Sequence, residues 1–262
     1  MPRPQRVVEL AASRAVGISP FLLLSIRAHD AAADDEYAAM RRFSGLDESA
    51  LHRIRLDRES LGSVELDDWS GVILGGGPYN FSDTSTDKSA DQRRAETELL
   101  ALLDEIVARD FPFLGCCYGI GALGAHIGAT VDRTFAEPIG SVPVSLTTVG
   151  RADPLLADLP DVFEAFVGHK EAISQLPPDA VLLATSPTCP VQAFRVGRNV
   201  YATQFHPELD VAGICTRIEI YKHDGYFDPG AADSLKSAML QCEVVHPPAI
   251  MRSFVRRFAV PT

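Results

Sequence analysis

The chain contains 262 residues, of which 46% are apolar and 23% are charged, as is typical of a globular protein. Its 35 acidic residues outnumber 24 Lys and Arg, and the formal charge of −11 argues against nucleic acid or an anionic membrane surface as the main partner. The five cysteines include no C-x-x-C pair, so we expect neither a disulfide framework nor a structural zinc site. No apolar run near the start reaches the ~20 residues that cross a bilayer, and no secretory segment is recognisable. We therefore expect a cytoplasmic protein with reduced thiols.

Strand and helix signals alternate through the first half of the chain. Residues 1–19 are expected to form a peripheral N-terminal arm with a short helix at 7–12. The runs predicted as strands are 21–26, 51–56, 69–74 and 111–115, and the segments predicted as helices are 34–43, 92–109 and 120–128. Such alternation is typical of an open, mostly parallel, twisted α/β sheet flanked by helices. The second strand alternates apolar and charged residues, which favours a place nearer the sheet edge.

The second half of the chain changes character. Between residues 130 and 205, short β-like runs are separated by Pro and Gly, and we expect them to add antiparallel strands to the sheet. These runs are 142–148, 165–167, 181–185, 192–196 and 201–205. Residues 211–262 are mainly helical, and the last helix is predicted at 250–258. The prediction is one catalytic domain over 20–210, with a C-terminal helical extension over 211–262 packed on it.

A cysteine motif lies where a buried strand meets a helix rich in small residues. The sequence there is Leu-Gly-Cys-Cys-Tyr-Gly at 114–119. Glycines two residues before and after a side chain suit a sharp strand-to-helix turn that lifts it above the carboxyl ends of the strands. Only Cys117 has glycine on both sides at this spacing, and a helix N-terminus favours a thiolate. We predict Cys117 as a nucleophile; the alternative is that Cys116 and Cys117 are two small buried residues.

A histidine and a glutamate lie two residues apart at the end of a late strand. They are His206 and Glu208 in the sequence Gln-Phe-His-Pro-Glu. A carboxylate at this spacing can accept the imidazole N–H, fix its tautomer and stabilise the imidazolium. The alternative for His206 is a structural histidine with a hydrogen-bond partner.

A glycine-rich loop, Gly-Gly-Gly-Pro at 75–78, follows another buried strand. Its backbone N–H groups would be exposed at the same sheet edge and could receive negative charge that develops on a carbonyl oxygen. The loop matches neither the G-x-x-x-x-G-K-[ST] nor the G-x-G-x-x-G phosphate-binding pattern. An ordinary turn between strand and helix is the alternative.

In chain order, the Gly-Gly-Pro loop, Gly-x-Cys-x-Gly and Phe-His-Pro-Glu resemble the class I (triad) glutamine amidotransferases, particularly stand-alone members similar to the glutaminase domain of GMP synthase. The resemblance covers about residues 20–210 and implies a flavodoxin-like fold. It implies Cys117 as nucleophile, His206 as general base and acid, and Glu208 as the orienting carboxylate. The backbone N–H groups of Gly77 and Tyr118 would form the oxyanion hole. The implied reaction is hydrolysis of the glutamine γ-amide through a thioester, without a cofactor.

One position departs from the family pattern, which usually continues Cys-x-Gly-x-Gln. Gly121 stands where the family has a Gln that helps to hold the substrate amide. Residues 168–171, Gly-His-Lys-Glu, fall where related proteins carry a Ser-His-x-Asp-like stretch of the substrate pocket. The resemblance therefore implies Gly76, Gly121, His169 and Glu171 as substrate-binding candidates. For His169 and Glu171 the alternative is a solvated turn between short strands.

Glutaminase domains of this family normally pass ammonia to a synthetase module. The chain contains no Ser-Gly-Gly-Val-Asp-Ser-like loop, and 209–262 is short for a second enzyme, so we expect a separate acceptor subunit or hydrolysis without channelling. Three hypotheses follow: a glutaminase or amidotransferase, a γ-glutamyl peptidase or hydrolase, and a non-catalytic protein that binds a metabolite or a partner. The acidic residues Asp83, Asp87 and Asp91 are irregularly spaced, so no metal site is predicted.

Overall fold

The computed structural model describes residues 18–261, so the helix expected at 7–12 lies outside the described residues. The strands are β1 (Phe21–Ser25), β2 (Leu51–Arg55), β3 (Gly71–Leu74), β4 (Phe113–Cys116), β5 (Thr130–Asp132), β6 (Glu137–Leu146), β7 (Val162–His169), β8 (Ala172–Gln175), β9 (Val181–Thr185), β10 (Ala193–Val196) and β11 (Val200–Thr203). The helices are α1 (Asp30–Ser44), α2 (Ala90–Ala108), α3 (Tyr118–His126), α4 (Thr148–Arg151), α5 (Val211–Ile220), α6 (Ala232–Met239) and α7 (Pro248–Phe258).

Nine strands form one mixed sheet in the order β2-β1-β3-β4-β11-β10-β9-β6-β7. The five strands from β2 to β11 are parallel to one another, and β10, β9, β6 and β7 continue the sheet through antiparallel pairings. The prediction of an open α/β sheet with added antiparallel strands is confirmed. The alternating strand β2 lies at one edge, as its pattern indicated.

The central parallel strands are covered on both faces, which explains their continuous apolar runs. Every residue of β1, β3, β4 and β11 is buried. Successive side chains of β1 enter different cores, because neighbouring residues of a strand point to opposite faces. Leu23 packs in one core with Met40 of α1 and Met251 of α7, whereas Leu22 packs in the other with Leu99 of α2.

Two predicted boundaries were wrong. Helix α1 begins at Asp30, four residues before the predicted start: its N-cap residue is His29, and Asp34 lies within the helix, where it forms an ion pair with Arg53. The antiparallel pair of β6 and β7 is longer than the runs predicted at 142–148 and 165–167. Pro143 of β6 pairs with Glu164 of β7. At this point β6 has no partner among the described strands on its other side, so a residue without a backbone N–H is tolerated there.

The C-terminal helices pack on the same sheet. The ring of Phe254 in α7 lies 5.9 Å from that of Phe21 in β1, and α7 also contacts α1. Helix α5 begins after Asp210, whose carboxylate accepts the backbone N–H of Gly213. The division of the chain at residue 210 stays a prediction. Among residues 18–261, every helix is too short or too polar to cross a bilayer.

The parallel order brings the ends of four strands to one edge of the sheet. Because β1, β3, β4 and β11 run in the same direction, the residues that follow them meet there. These residues include Arg27, the glycine loop at 75–77, Cys117 and the segment 204–208.

Candidate active site

Cys117 occupies the tight turn between β4 and α3. Its backbone has φ 54° and ψ −95°, a conformation that side-chain-bearing residues rarely adopt. Its N–H donates to the carbonyl oxygen of Thr203 over 2.8 Å. A Cβ added to Gly115 would lie 2.7 Å from the backbone of Gly119, so the chain can pass there only with glycine. The neighbouring Cys116 is fully buried and points into the core.

His206 and Glu208 form a buried pair at the end of β11. His206 Nδ1 lies 2.7 Å from Glu208 Oε1, and the side chains are 8% and 0% exposed. Arg217 of α5 donates from Nη2 to the same carboxylate oxygen over 3.0 Å. Glu208 therefore holds the imidazole from one side and is itself held by a guanidinium.

The electrostatics of this pair favour two charged partners. Burial lowers the pKa of His206, but the Glu208 carboxylate and the neighbouring Cys117 sulfur outweigh it and raise the pKa to about 9. Burial raises the pKa of Glu208, but His206 and Arg217 outweigh that effect and hold it well below its usual range. An imidazolium and a carboxylate are therefore the expected forms at neutral pH.

The structure brings Cys117 and His206 together across Gly76. A Cβ built on Gly76 would lie 2.7 Å from His206 Cε1 and 3.2 Å from Cys117 Cβ. Both side chains line the same cavity, to which Gly77 also contributes. Gly76 thus borders both reactive groups, and a side chain at this position would collide with them.

The two amides predicted to hold an oxyanion are at the same place. Gly77 lines the cavity beside Cys117, and Tyr118 is the first residue of α3. Among the described residues, neither N–H has a hydrogen-bond acceptor. A free amide at a helix N-terminus is expected from helix geometry, and it suits an anion.

A second recess lies on the other side of Cys117. It is lined by Gly121, His169 and Glu171, which are three of the four predicted substrate-binding residues. Glu171 accepts the backbone N–H groups of Phe81 and Ser82, each over 2.7 Å. A Cβ on Gly121 would lie 3.0 Å from Glu171 Oε1, so the carboxylate borders the space that a Gln side chain would take. The fourth residue, Gly76, borders both Cys117 and His206.

His169 and Glu171 are both buried, so the alternative that they form a solvated turn is wrong. His169 Nε2 lies 2.8 Å from Glu137 Oε2, and its Nδ1 lies 2.9 Å from the carbonyl oxygen of Glu171. The ring therefore links the carboxylate of Glu137 to the backbone at Glu171. The ring thereby fixes the backbone on which Glu171 stands.

Glu137, His169 and Cys189 lie close enough to be considered as metal ligands, with donor atoms within 4.8 Å of one another. The carboxylate oxygens of Glu137, however, already accept from His169, Thr188 and Gln192. Protein partners thus account for the cluster without an ion. Burial also raises the pKa of Cys189 to about 12, which disfavours the thiolate that a metal requires.

Sequence reasoning missed three charged residues beside the candidate site. Arg27, which follows β1, donates from Nε to Glu36 of α1 over 2.8 Å, and Arg217 lies 3.8 Å from the same carboxylate. All three side chains are at most 6% exposed. The sequence offered one signal, and it concerned Arg27: this residue follows a buried strand and so lies at the sheet edge where the other candidate residues were predicted. Glu36 and Arg217 come from helices, and their sequence context gives no comparable signal.

The class I glutamine amidotransferase family model matches residues 36–212, and the chain belongs to this family. A glutamine-hydrolysing GMP synthase subunit from Thermoplasma acidophilum is 34% identical over 149 residues, which are 56% of this chain and 68% of that protein. The corresponding protein from Thermoplasma volcanium is 34% identical over 150 residues, or 56% of this chain and 67% of that protein.

Solved structures are similar over nearly the whole chain. A glutamine amidotransferase from Thermotoga maritima has a TM-score of 0.67 at 21% identity and covers 92% of this chain and 98% of its own. A glutamine amidotransferase from Methylobacillus flagellatus has a TM-score of 0.69 at 20% identity and covers 94% and 98%. At these identities the likeness concerns the fold, and it agrees with the mixed sheet described above.

Proposed function

We propose that the protein hydrolyses the γ-amide of glutamine, or of a γ-glutamyl compound, through a thioester on Cys117. The observation that carries the proposal is the position of Cys117 at a strained turn, in one cavity with an imidazole that is bound to Glu208 over 2.7 Å. Nucleophile, base and orienting acid in this relation are the parts that acyl transfer needs. Family membership supports the same reaction class.

In the proposed reaction, the sulfur of Cys117 attacks the γ-carbonyl carbon as a thiolate, with the imidazolium of His206 as its counter-ion. The carbonyl oxygen becomes negative and accepts the N–H groups of Gly77 and Tyr118; each such donor typically contributes about 3 kcal/mol. His206 gives its proton to the departing nitrogen as the carbon–nitrogen bond breaks. Water then attacks the thioester, His206 takes its proton, and glutamate and the free thiolate result.

Glu208 has a supporting role in this scheme. Its contact with Nδ1 leaves Nε2 to face the sulfur and fixes the orientation of the ring. Its negative charge stabilises the imidazolium in which the cycle starts, in agreement with the raised pKa of His206.

The fate of the nitrogen separates two candidate functions. Relatives named as subunits of a glutamine-hydrolysing GMP synthase favour transfer of ammonia to a separate synthetase protein. A γ-glutamyl hydrolase is the second candidate, and Gly121 favours it, because Glu171 borders the space where the family Gln would hold the amide. A non-catalytic binding role would not need free N–H groups beside an aligned thiol and imidazole.

Ammonia release from glutamine by wild type, Cys117→Ala and Cys116→Ala tests the proposal. We expect Cys117→Ala to abolish release and Cys116→Ala, the matched control on the adjacent buried cysteine, to retain it. Release of amine from γ-glutamyl dipeptides is measured in the same series. Activity that survives Cys117→Ala on either substrate would remove the assigned nucleophile, and modification of no thiol by substrate analogues would favour the binding role.

A further inference from the structure

Cys117 lies between two recesses, and only one of them contains the predicted substrate-binding residues. The recess with Gly121 and Glu171 also contains Lys170, so it offers charges of both signs. The other recess is lined by Arg27, the apolar side chains of Ile139, Val167, Leu209 and Ile214, and the rings of Tyr221 and Tyr226. We call the second one the arginine recess.

The guanidinium of Arg27 is only partly satisfied. Its Nε donates to Glu36 over 2.8 Å, and its Nη1 donates to the hydroxyl of Tyr221 over 3.2 Å. Within the described residues, Nη2 has no acceptor, although the residue is only 4% exposed. A Cβ on Gly76 would lie 3.1 Å from Nη2 and 3.2 Å from Cys117 Cβ, so the free nitrogen and the nucleophile flank one backbone position.

An N–H of Nη2, which has no protein acceptor among the described residues, can donate to a ligand in the recess, and apolar walls strengthen its attraction for an anion. A carboxylate is a strong acceptor for a charged guanidinium N–H, and Nη2 is the nitrogen of Arg27 that is left to donate to it. Ammonia needs neither this charge nor apolar walls, and a nearby cation disfavours ammonium. The arginine recess is therefore matched to something larger than the leaving group of glutamine.

We propose that the arginine recess binds the amine half of a γ-glutamyl amide whose leaving group carries a carboxylate and an apolar side chain, which is a γ-glutamyl amino acid. The inference rests on the proposed thioester at Cys117. The glutamyl half occupies the recess with Lys170 and Glu171, whose charges complement its α-carboxylate and α-ammonium groups. The leaving carboxylate binds Nη2 of Arg27, and the apolar side chain contacts Leu209 and Ile214.

The chemistry balances without a further reactant. The bond from sulfur to the γ-carbon forms, and the bond from that carbon to the amine nitrogen breaks. The nitrogen takes the proton of His206, and a neutral amino group leaves on the amino acid. Water supplies the hydroxyl that converts the thioester to glutamate, and its other proton returns to His206.

The test compares γ-glutamyl-leucine with γ-glutamyl-isopentylamide, which has the same apolar group and no leaving-group carboxylate. We expect kcat/KM of the wild type to favour γ-glutamyl-leucine by at least about tenfold, the usual size of one hydrogen bond to a charged group. In Arg27→Gln the preference should fall below about threefold. Arg133→Gln, which removes an exposed arginine that pairs with Asp83 and lines neither recess, is the matched control and should keep the preference.

Arg27 also contacts Glu36, so its variant is expected to be slower on both substrates. The ratio of kcat/KM for the two substrates, taken within one variant, cancels that effect. The ratio measured for the wild type does not depend on any variant. Turnover that depends on Cys117 but has a ratio near one in the wild type would overturn the inference and leave the proposed function standing. If Arg27→Gln keeps the wild-type preference for γ-glutamyl-leucine, the inference is likewise overturned and the proposed function still stands. Absence of any Cys117-dependent turnover, with glutamine included, would overturn both.

Discussion

Nη2 of Arg217 lies 3.0 Å from Oε1 of Glu208, the same oxygen that contacts the imidazole of His206. Arg217 comes from α5, after the segment that carries Glu208. A buried carboxylate between an imidazolium and a guanidinium keeps its charge, and so keeps the imidazole protonated and oriented. The site therefore depends on a helix that no catalytic motif includes.

Arg217→Met should destabilise the protein by about 3 kcal/mol, because it leaves a buried carboxylate without one of its two charged partners. We also expect a fall in kcat, because Glu208, which orients the imidazole of His206, is no longer held by the guanidinium of Arg217. Urea denaturation and steady-state kinetics measure the two effects. The control is Arg42→Gln, whose partner Asp210 is 31% exposed, and the loss there should stay below about 1 kcal/mol. Equal losses in both variants would contradict the assigned role of Arg217.

Stability should fall as pH rises through the range in which His206 deprotonates. The folded pKa is raised to about 9, above the ordinary value of 6.5, so the stabilisation is complete below pH 6.5 and is lost as pH passes 9. The free energy of unfolding should drop by up to about 3 kcal/mol over this interval in the wild type, and much less in His206→Gln. Identical pH profiles for the two proteins would refute the His206–Glu208 ion pair.

Gly76→Ala should impair turnover more than it impairs folding. The new methyl group would lie 2.7 Å from His206 Cε1, so the imidazole must move away from the sulfur. Overpacking of this kind costs about 1–3 kcal/mol, and we expect kcat/KM to fall at least about tenfold. Gly140→Ala is the control, because within residues 18–261 the one atom less than 4 Å from an added Cβ is the carbonyl oxygen of Pro138, at 3.9 Å. The assignment fails if the two variants are equally active.

Glu171→Ala should raise KM with a smaller effect on kcat. The carboxylate anchors the backbone of Phe81 and Ser82 through two 2.7 Å hydrogen bonds, and Phe81 lies against the ring of Tyr118. Loss of both anchors frees this wall of the recess, and we expect KM to rise about tenfold. Steady-state kinetics with glutamine and a γ-glutamyl dipeptide measure it. An unchanged KM for both substrates would show that Glu171 does not shape the binding recess.

The strands and motifs that could be predicted from the sequence are those marked by a pattern within one short segment of the chain. Runs such as 21–26 are apolar except for Ser25 because both faces of β1 are covered, and the motifs around Cys117 and His206 are contiguous. Parallel strand order then brings the motifs to one edge. Strand β6 was underestimated because Pro138 and Gly140 signal a break before the predicted run at 142–148, although β6 pairs with β7 on one side there and has no partner strand within the described residues on the other.

Arg27, Glu36 and Arg217 could not be assigned from sequence because their role depends on tertiary approach. Arg27 and Glu36 lie 9 residues apart, whereas Arg217 follows Glu36 by more than half of the chain, yet Glu36 contacts both arginines. Their charges compensate only after α1 and α5 pack against the sheet. A buried Glu in a helix with Arg nearby in space has no signature in a single sequence.

Mass spectrometry of the intact protein, followed by peptide mapping, is the sharpest test of Cys117 as the nucleophile. The protein is incubated with a glutamine-derived chloroketone or diazoketone, which alkylates a nucleophile that attacks the γ-position. We expect one adduct, located on Cys117, that excess glutamine or γ-glutamyl dipeptide prevents and that His206→Gln slows. An enzyme that turns over substrate while its adduct lies on another residue would contradict the proposed mechanism.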